Sequence, residues 1–176
     1  MSIATSYANY SPDWWTPEPW RRWISRTFRT TAWFDPCPGD WSPSEPSGLD
    51  VRWDSPCYLN HPGGRGEHLR WWAKYITEQP CDFIWCAFNA EQLRHLRPSP
   101  LALDGWLVLP RQRIRFVWGG ATFTPARGKP RVHGEPARSP GNWAVFWSTV
   151  RPAQPPAECE LVRTLARTEW RGQTQV

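Results

Sequence analysis

The sequence predicts a single α/β domain whose sheet carries helices on both faces. Three observations lead there. The chain has 176 residues, enough for one hydrophobic core and too few for two of ordinary size. Apolar residues make up 40% and charged residues 21%, too apolar for a wholly disordered chain. Short apolar runs, bounded by Gly, Pro, Asn and Asp, alternate with segments of helical periodicity across residues 13–150.

Residues 1–12 read as a polar arm. Thr16 is placed to cap a helix, with Pro17 at its first position and acid in its first turn. Trp20, Trp23, Ile24 and Phe28 then share one helical face. Thr31–Asp35 reads as a short strand ending in Asp35-Pro36-Cys37-Pro38-Gly39, and the Pro/Ser/Gly-rich residues 38–48 as a loop. Leu49–Trp53 reads as strand or turn. Cys57-Tyr58-Leu59 is an apolar run stopped by Asn60-His61-Pro62-Gly63-Gly64. Glu67–Thr77 has helical spacing, with Leu69, Trp72, Tyr75 and Ile76 inward. Asp82–Phe88 reads as a strand and Ala90–Leu96 as a short helix closed by Pro98. Gly105–Pro110 and Ile114–Trp118 read as strands, 119–141 as a long Gly/Pro/Arg loop, and Asn142–Thr149 as a last apolar strand. The tail, 151–176, is polar, with a helix expected over Glu158–Trp170. There is no internal repeat.

The net charge is +5, and 19 of the 21 basic residues are arginine, Lys74 and Lys129 being the exceptions. Arginine's planar fork suits phosphate and base edges, which favours an anionic partner, nucleic acid first. Codon bias in a G+C-rich genome also raises arginine, together with the 20 prolines and 15 tryptophans. Where the arginines cluster therefore matters more than their number. No stretch approaches the ~18 uninterrupted apolar residues of a membrane span. Met1–Thr5 shows no basic start followed by an apolar run, so a cytoplasmic address is expected. The five cysteines and four histidines show no metal-site spacing; no metal is expected, and the cysteines read as small buried thiols. Trp72, Trp85, Trp106, Trp143 and Trp147 fall on strands or inward helical positions and read as core.

Ligands of open α/β sheets sit at the carboxyl ends of strands. Two runs here end in polar, turn-forming residues, Asp35-Pro36-Cys37 and Asn60-His61-Pro62-Gly63. A strand-end aspartate can accept hydrogen bonds from ribose hydroxyls or an ammonium group. A strand-end asparagine offers one acceptor and one donor in a fixed place. Either can equally satisfy its own loop.

The order Trp15-Thr16-Pro17, helix, Phe34-Asp35-Pro36-Cys37, Gly48-Leu49 with Trp53, then Tyr58-Leu59-Asn60-His61-Pro62 resembles the phage-type DNA adenine methyltransferase family. That family shows a W-x-T-P start, a strand ending in D-P-A or D-x-C, a G-L…W segment and a strand ending in N-P-P-Y. His68-Leu69-Arg70-Trp71-Trp72-Ala73-Lys74 falls where the family has a Trp…Lys helix. Arg113-Ile114-Arg115-Phe116 resembles its G-R-I-K-F segment, and Trp143-Ala144-Val145-Phe146 its closing strand. The resemblance spans about residues 13–149.

It implies a Rossmann-like fold binding S-adenosylmethionine, in a cytoplasmic protein of phage or prophage origin. Trp15, Thr16, Pro17, Asp35, Pro36, Cys37 and Asp50 would line the cofactor pocket. Asn60, His61 and Pro62 would form the catalytic turn. The asparagine and the next carbonyl accept from the exocyclic amine of an adenine flipped out of DNA. The turn departs from N-P-P-Y, since His61 replaces the first proline and Gly63 the stacking aromatic. Losing a base–aromatic stack costs about 1–3 kcal/mol, and Trp14, Trp41, Trp71 and Trp118 are candidates to replace it. Ala87-Phe88-Asn89-Ala90-Glu91 departs from the family's P-A-R-T run.

Seven basic residues, Arg111, Arg113, Arg115, Arg127, Lys129, Arg131 and Arg138, stand against one acid, Glu135, between positions 111 and 138. A Gly/Pro-rich segment with that imbalance can follow a phosphate backbone; the plain alternative is a solvated loop. The expected activity is adenine methylation of DNA, with no membrane partner. Two alternatives stand beside it: the same fold and cofactor with a different acceptor or transferred group, and a catalytically silent DNA-binding module.

Overall fold

A computed structural model describes residues 14–38, 46–61, 66–119, 131–136 and 143–165. Helix α1, Glu18–Phe28, buries Trp20, Trp23, Ile24, Thr27 and Phe28. Its apolar residues recur at helical spacing, and Arg29 ends it in the left-handed conformation, φ 58°. Thr16 is not its cap, contrary to expectation. Pro17 holds that position and Pro19 lies in the first turn, where a missing N–H costs nothing. The Thr16 hydroxyl instead meets the Tyr58 hydroxyl at 2.6 Å.

The main sheet is built from β2 (Cys57–Leu59), β3 (Phe83–Ala87), β4 (Gly105–Pro110), β6 (Val145–Ser148) and β7 (Cys159–Thr164), in the spatial order β2-β3-β6-β4-β7. β2 pairs parallel with β3, while the β3–β6, β6–β4 and β4–β7 ladders are antiparallel. Phe34 bridges Cys57 in parallel and extends the sheet past β2. The Thr31–Asp35 strand reduces to this bridge, and the Leu49–Trp53 segment is a turn at 48–50. The protein is thus an α/β domain with a mixed, mostly antiparallel sheet. A parallel pair needs a long crossover, and α2 (Glu67–Glu78) supplies one between β2 and β3. No helix among the described residues separates β4 from β6, and the returning chain pairs antiparallel.

Side chains alternate between two cores. Tyr58, Ile84, Cys86, Val108 and Phe146 face α1, whereas Leu59, Phe83, Trp85, Leu107 and Trp147 face α2 and α3 (Ala90–His95). Helices therefore cover both faces, as expected. The inward stripe of α2 is Trp71, Trp72 and Tyr75. Leu69 lies outside it and is 49% exposed, so the expected face was rotated. Trp71 stacks on Trp53 at 6.0 Å within the core, which removes it as a base-stacking candidate. Trp143 is not core either; it is 53% exposed, with Arg113 over its ring at 5.1 Å. Trp106 is half-buried. Cys37, Cys57 and Cys86 are buried, whereas Cys81 is exposed.

The expected helix over Glu158–Trp170 is overturned where it is described. Residues 159–164 form β7, in register with β4 from Gly105↔Thr164 to Pro110↔Cys159. Pairing there satisfies the backbone edge of β4, an advantage no local periodicity reveals. Of the expected strand 114–118, only β5, Val117–Trp118, forms a ladder. It pairs antiparallel with β1, Trp14–Trp15, in a separate two-stranded sheet. No helix among the described residues is long and apolar enough to cross a membrane.

Candidate functional site

Phe34, β2 and β3 run parallel, so the residues that follow them reach the same edge of the sheet. Asp35 follows Phe34, Asn60 and His61 follow β2, and Phe88 follows β3. The sequence-predicted strand ends at Asp35 and Asn60 are thus neighbours.

Asn60 is held in one orientation. Its Nδ2 donates to the Trp14 carbonyl at 3.1 Å. Its Oδ1 is buried and has no hydrogen-bond partner among the described residues. Trp14 is fixed in turn by pairing with Trp118, their rings 5.1 Å apart and edge-on. Arg131 covers both rings, at 5.2 Å from Trp14 and 4.8 Å from Trp118. The segment 131–136 is laced to β5: the Trp118 N–H donates to the Glu135 carbonyl, and the Gly134 N–H to the Trp118 carbonyl. His133 meets the Gly119 carbonyl at 2.8 Å and the Trp15 ring edge-on at 5.6 Å. Gly119 is required there, because a Cβ would overlap the Trp15 indole. Two tryptophans and an arginine therefore stand against the backbone that orients Asn60. Trp14 is 46 positions from Asn60 and 104 from Trp118, so its contacts leave no local sequence signal.

His61 is 2% exposed, its ring edge-on to Trp85 at 5.6 Å and Phe88 at 5.2 Å. A ring packed in this way acts as a wedge that anchors the residue after Asn60 against β3 and its continuation. Pro62 lies outside the described residues, as do Trp41, Gly63, Arg127, Lys129 and the 1–12 arm.

The Asp35 carboxylate is half-buried and accepts the Cys37 N–H at 2.9 Å, which shapes its own loop. Pro36 and Cys37 are buried, and the turn at Gly48 packs on the Pro36 carbonyl. Asp50 is exposed on that turn. Pro17 is half-buried at the start of α1. Burial first, and the nearby Asp35 charge second, push the Cys37 and Cys57 thiols well up. They stay protonated, so neither is a thiolate nucleophile. Burial likewise raises Tyr58, whose hydroxyl stays neutral between Thr16 and Cys86.

The basic residues divide. Arg111 pairs with Glu158 at 3.2 Å, both groups exposed. Arg113 lies over Trp143, Arg115 is exposed, and Arg131 covers the tryptophan pair. A cavity of about 220 Å³ is lined by Pro19, Arg22, Arg26, Gln154, Pro155 and Pro156. It lies on the α1 flank, away from Asn60, and is smaller than the ~300–1,000 Å³ usual for ligand pockets.

Fold and site together define an α/β protein with an oriented asparagine and an aspartate at adjacent parallel strand ends. Comparison with protein-family models, curated proteins and solved structures finds no match to this chain.

Proposed function

We propose that the protein is an S-adenosylmethionine-dependent methyltransferase acting on the exocyclic amine of adenine in DNA. The observation that carries this reading is the buried Asn60 Oδ1 without a hydrogen-bond partner among the described residues. An unmet buried acceptor costs about 1–3 kcal/mol and calls for an explanation, such as a ligand that completes it. An amine N–H is such a ligand, and Trp14 fixes which atom of Asn60 receives it.

The strand order adds support. Phe34, β2, β3 and β4 share one direction and follow the chain in the order of strands 1, 4, 5 and 6 of the doubly wound arrangement 3-2-1-4-5-6. The antiparallel β6 is inserted between the last two. On this reading Asp35 and Asn60 correspond to the ends of strands 1 and 4, with no counterparts of strands 2 and 3 beyond Phe34 among the described residues.

The residues present fit the cofactor by their chemistry. Asp35 offers a loop-oriented carboxylate to ribose hydroxyls or an ammonium group, one strand from Asn60. When bound, S-adenosylmethionine supplies an electrophilic methyl group on a sulfonium. Asn60 Oδ1 accepts one amine N–H and the His61 carbonyl accepts the other, so the nitrogen lone pair is aimed and enriched. The target base must leave the duplex to reach this edge. Trp118 is buried under Arg131 like Trp71 in its core, so the half-buried Trp14, whose carbonyl orients Asn60, is the ring beside the turn for the role the family gives to its turn aromatic.

The test is mass spectrometry of nucleosides from cells expressing the chain. N6-methyladenine is expected with the wild type and absent with Asn60→Ala; a different adduct means another acceptor. A second reading, a silent DNA-binding module, is favoured by Thr16 and Cys37, whose hydroxyl and thiol are buried in internal packing. Calorimetry decides between the two, since absence of S-adenosylmethionine binding leaves the silent module.

A further inference from the structure

Three strand spacings from β2, about 14 Å across the sheet, a second arrangement of arginine and tryptophan stands apart from Asn60. Trp106 lies near the start of β4, in phase with Val108 and so on the α1 face. Two guanidinium groups approach its ring, Arg163 with Cζ at 5.0 Å and Arg151 at 5.6 Å. Arg163 is its cross-strand partner on β7, and Arg151 comes three residues after the end of β6. Both arginines are exposed.

Arg22, Arg70, Arg94 and Arg111 each have a carboxylate within 4.0 Å. Among the described residues, Arg151 and Arg163 make no ion pair. Glu160, on the same strand as Arg163, is an odd number of residues away and points to the opposite face. The two cations are therefore held within about 11 Å of each other, set by their distances to one ring, and neither has an ion pair among the described residues. A guanidinium held over a ring and exposed to solvent keeps N–H groups for an anion. The ring contact also limits its rotamers, so less entropy is lost when an anion binds. An anion bridging the pair removes their mutual repulsion and gains charge-assisted hydrogen bonds.

We propose that Arg151, Trp106 and Arg163 form a binding patch for the phosphodiester backbone of nucleic acid. Phosphate oxygens match the fork geometry of arginine, and the chain's net charge of +5 draws a polyanion toward it. The patch does not depend on methyl transfer, because none of its groups belongs to the Asn60 edge.

The test uses the full chain and a fluorescently labelled 20-base-pair DNA duplex, with affinity measured by anisotropy across a salt series. Each phosphate contact contributes a slope of about −0.9 in log K against log salt. The Arg151→Gln/Arg163→Gln variant is expected to flatten the slope by about 1.8. Arg70→Gln/Arg94→Gln removes the same charge from carboxylate-paired positions and is expected to keep the wild-type slope. In parallel, inorganic phosphate is titrated while the arginine Nε resonances are followed by NMR, and those of Arg151 and Arg163 are expected to shift together. A wild-type slope in the Arg151/Arg163 variant, or no DNA binding by the wild type, overturns the proposal. Shifts with inorganic phosphate but an unchanged DNA slope overturn the nucleic-acid assignment and leave a small-anion site.

Discussion

Replacing Asn60 by alanine separates a residue kept for a ligand from one kept for the fold. The substitution removes the Nδ2 bond to the Trp14 carbonyl, worth about 0.5–1.5 kcal/mol net. It also removes the buried Oδ1 that lacks a partner among the described residues, relieving about 1–3 kcal/mol. The two effects oppose each other, so the expected net change runs from about 0.5 kcal/mol destabilising to about 2.5 kcal/mol stabilising. For a chain of this length 1 kcal/mol moves the melting midpoint by roughly 2–4 °C, so the expected shift lies between about 2 °C down and about 10 °C up. Circular-dichroism melting measures it, with the nucleoside assay run on the same variant. Asn60→Asp is the harsher change, because it sets a carboxylate oxygen against the Trp14 carbonyl oxygen, acceptor against acceptor. A loss above about 3 kcal/mol for Asn60→Ala would show that the side chain holds the fold, and the argument from its unmet acceptor would fail.

Gly48→Ala places a Cβ into the Pro36 carbonyl, backbone against backbone, and is expected to cost about 1–3 kcal/mol and to disturb the Asp35–Cys37 loop. Melting and S-adenosylmethionine calorimetry read the two effects, and a variant that melts and binds as wild type contradicts the tight packing of that turn. Alkaline pH is expected to unfold the protein through its thiols. Burial, first among the causes, raises Cys37, Cys57 and Cys86, the last to about 12 against an ordinary 9.0. Above pH 9 the unfolded chain releases these protons and the folded one keeps them. The stabilisation is thus complete below pH 9 and falls by about 1.4 kcal/mol per pH unit for each thiol above it. Urea midpoints at pH 8, 9.5 and 10.5 measure the decline, and a flat series refutes it.

The readable parts of the fold were those set within one element. The α1 face is visible because its apolar residues repeat at helical spacing, and the bounds of β4 because Gly105–Pro110 is an apolar run between turn residues. Where neighbours decide, local spacing misleads. On α2 either Leu69 or Trp71 could complete the stripe, and Trp53, 18 positions away in sequence, selects Trp71. Trp143 resembles a core residue in a strand, yet β6 begins two positions later and its ring lies outside under Arg113.

The same division holds for the site. The sequence by itself determined the order of the elements and where the strands stop. Asp35 and Asn60 end their runs because proline and turn-forming residues act locally, on one or two peptide units. Only the tertiary structure decided the directions of β6 and β7, the conversion of an expected helix into an edge strand, and the contact of Trp14, Trp118 and Arg131 that orients Asn60. Those outcomes depend on which distant backbone edges and ring faces satisfy one another once the chain has closed, a condition that no local spacing of residues expresses.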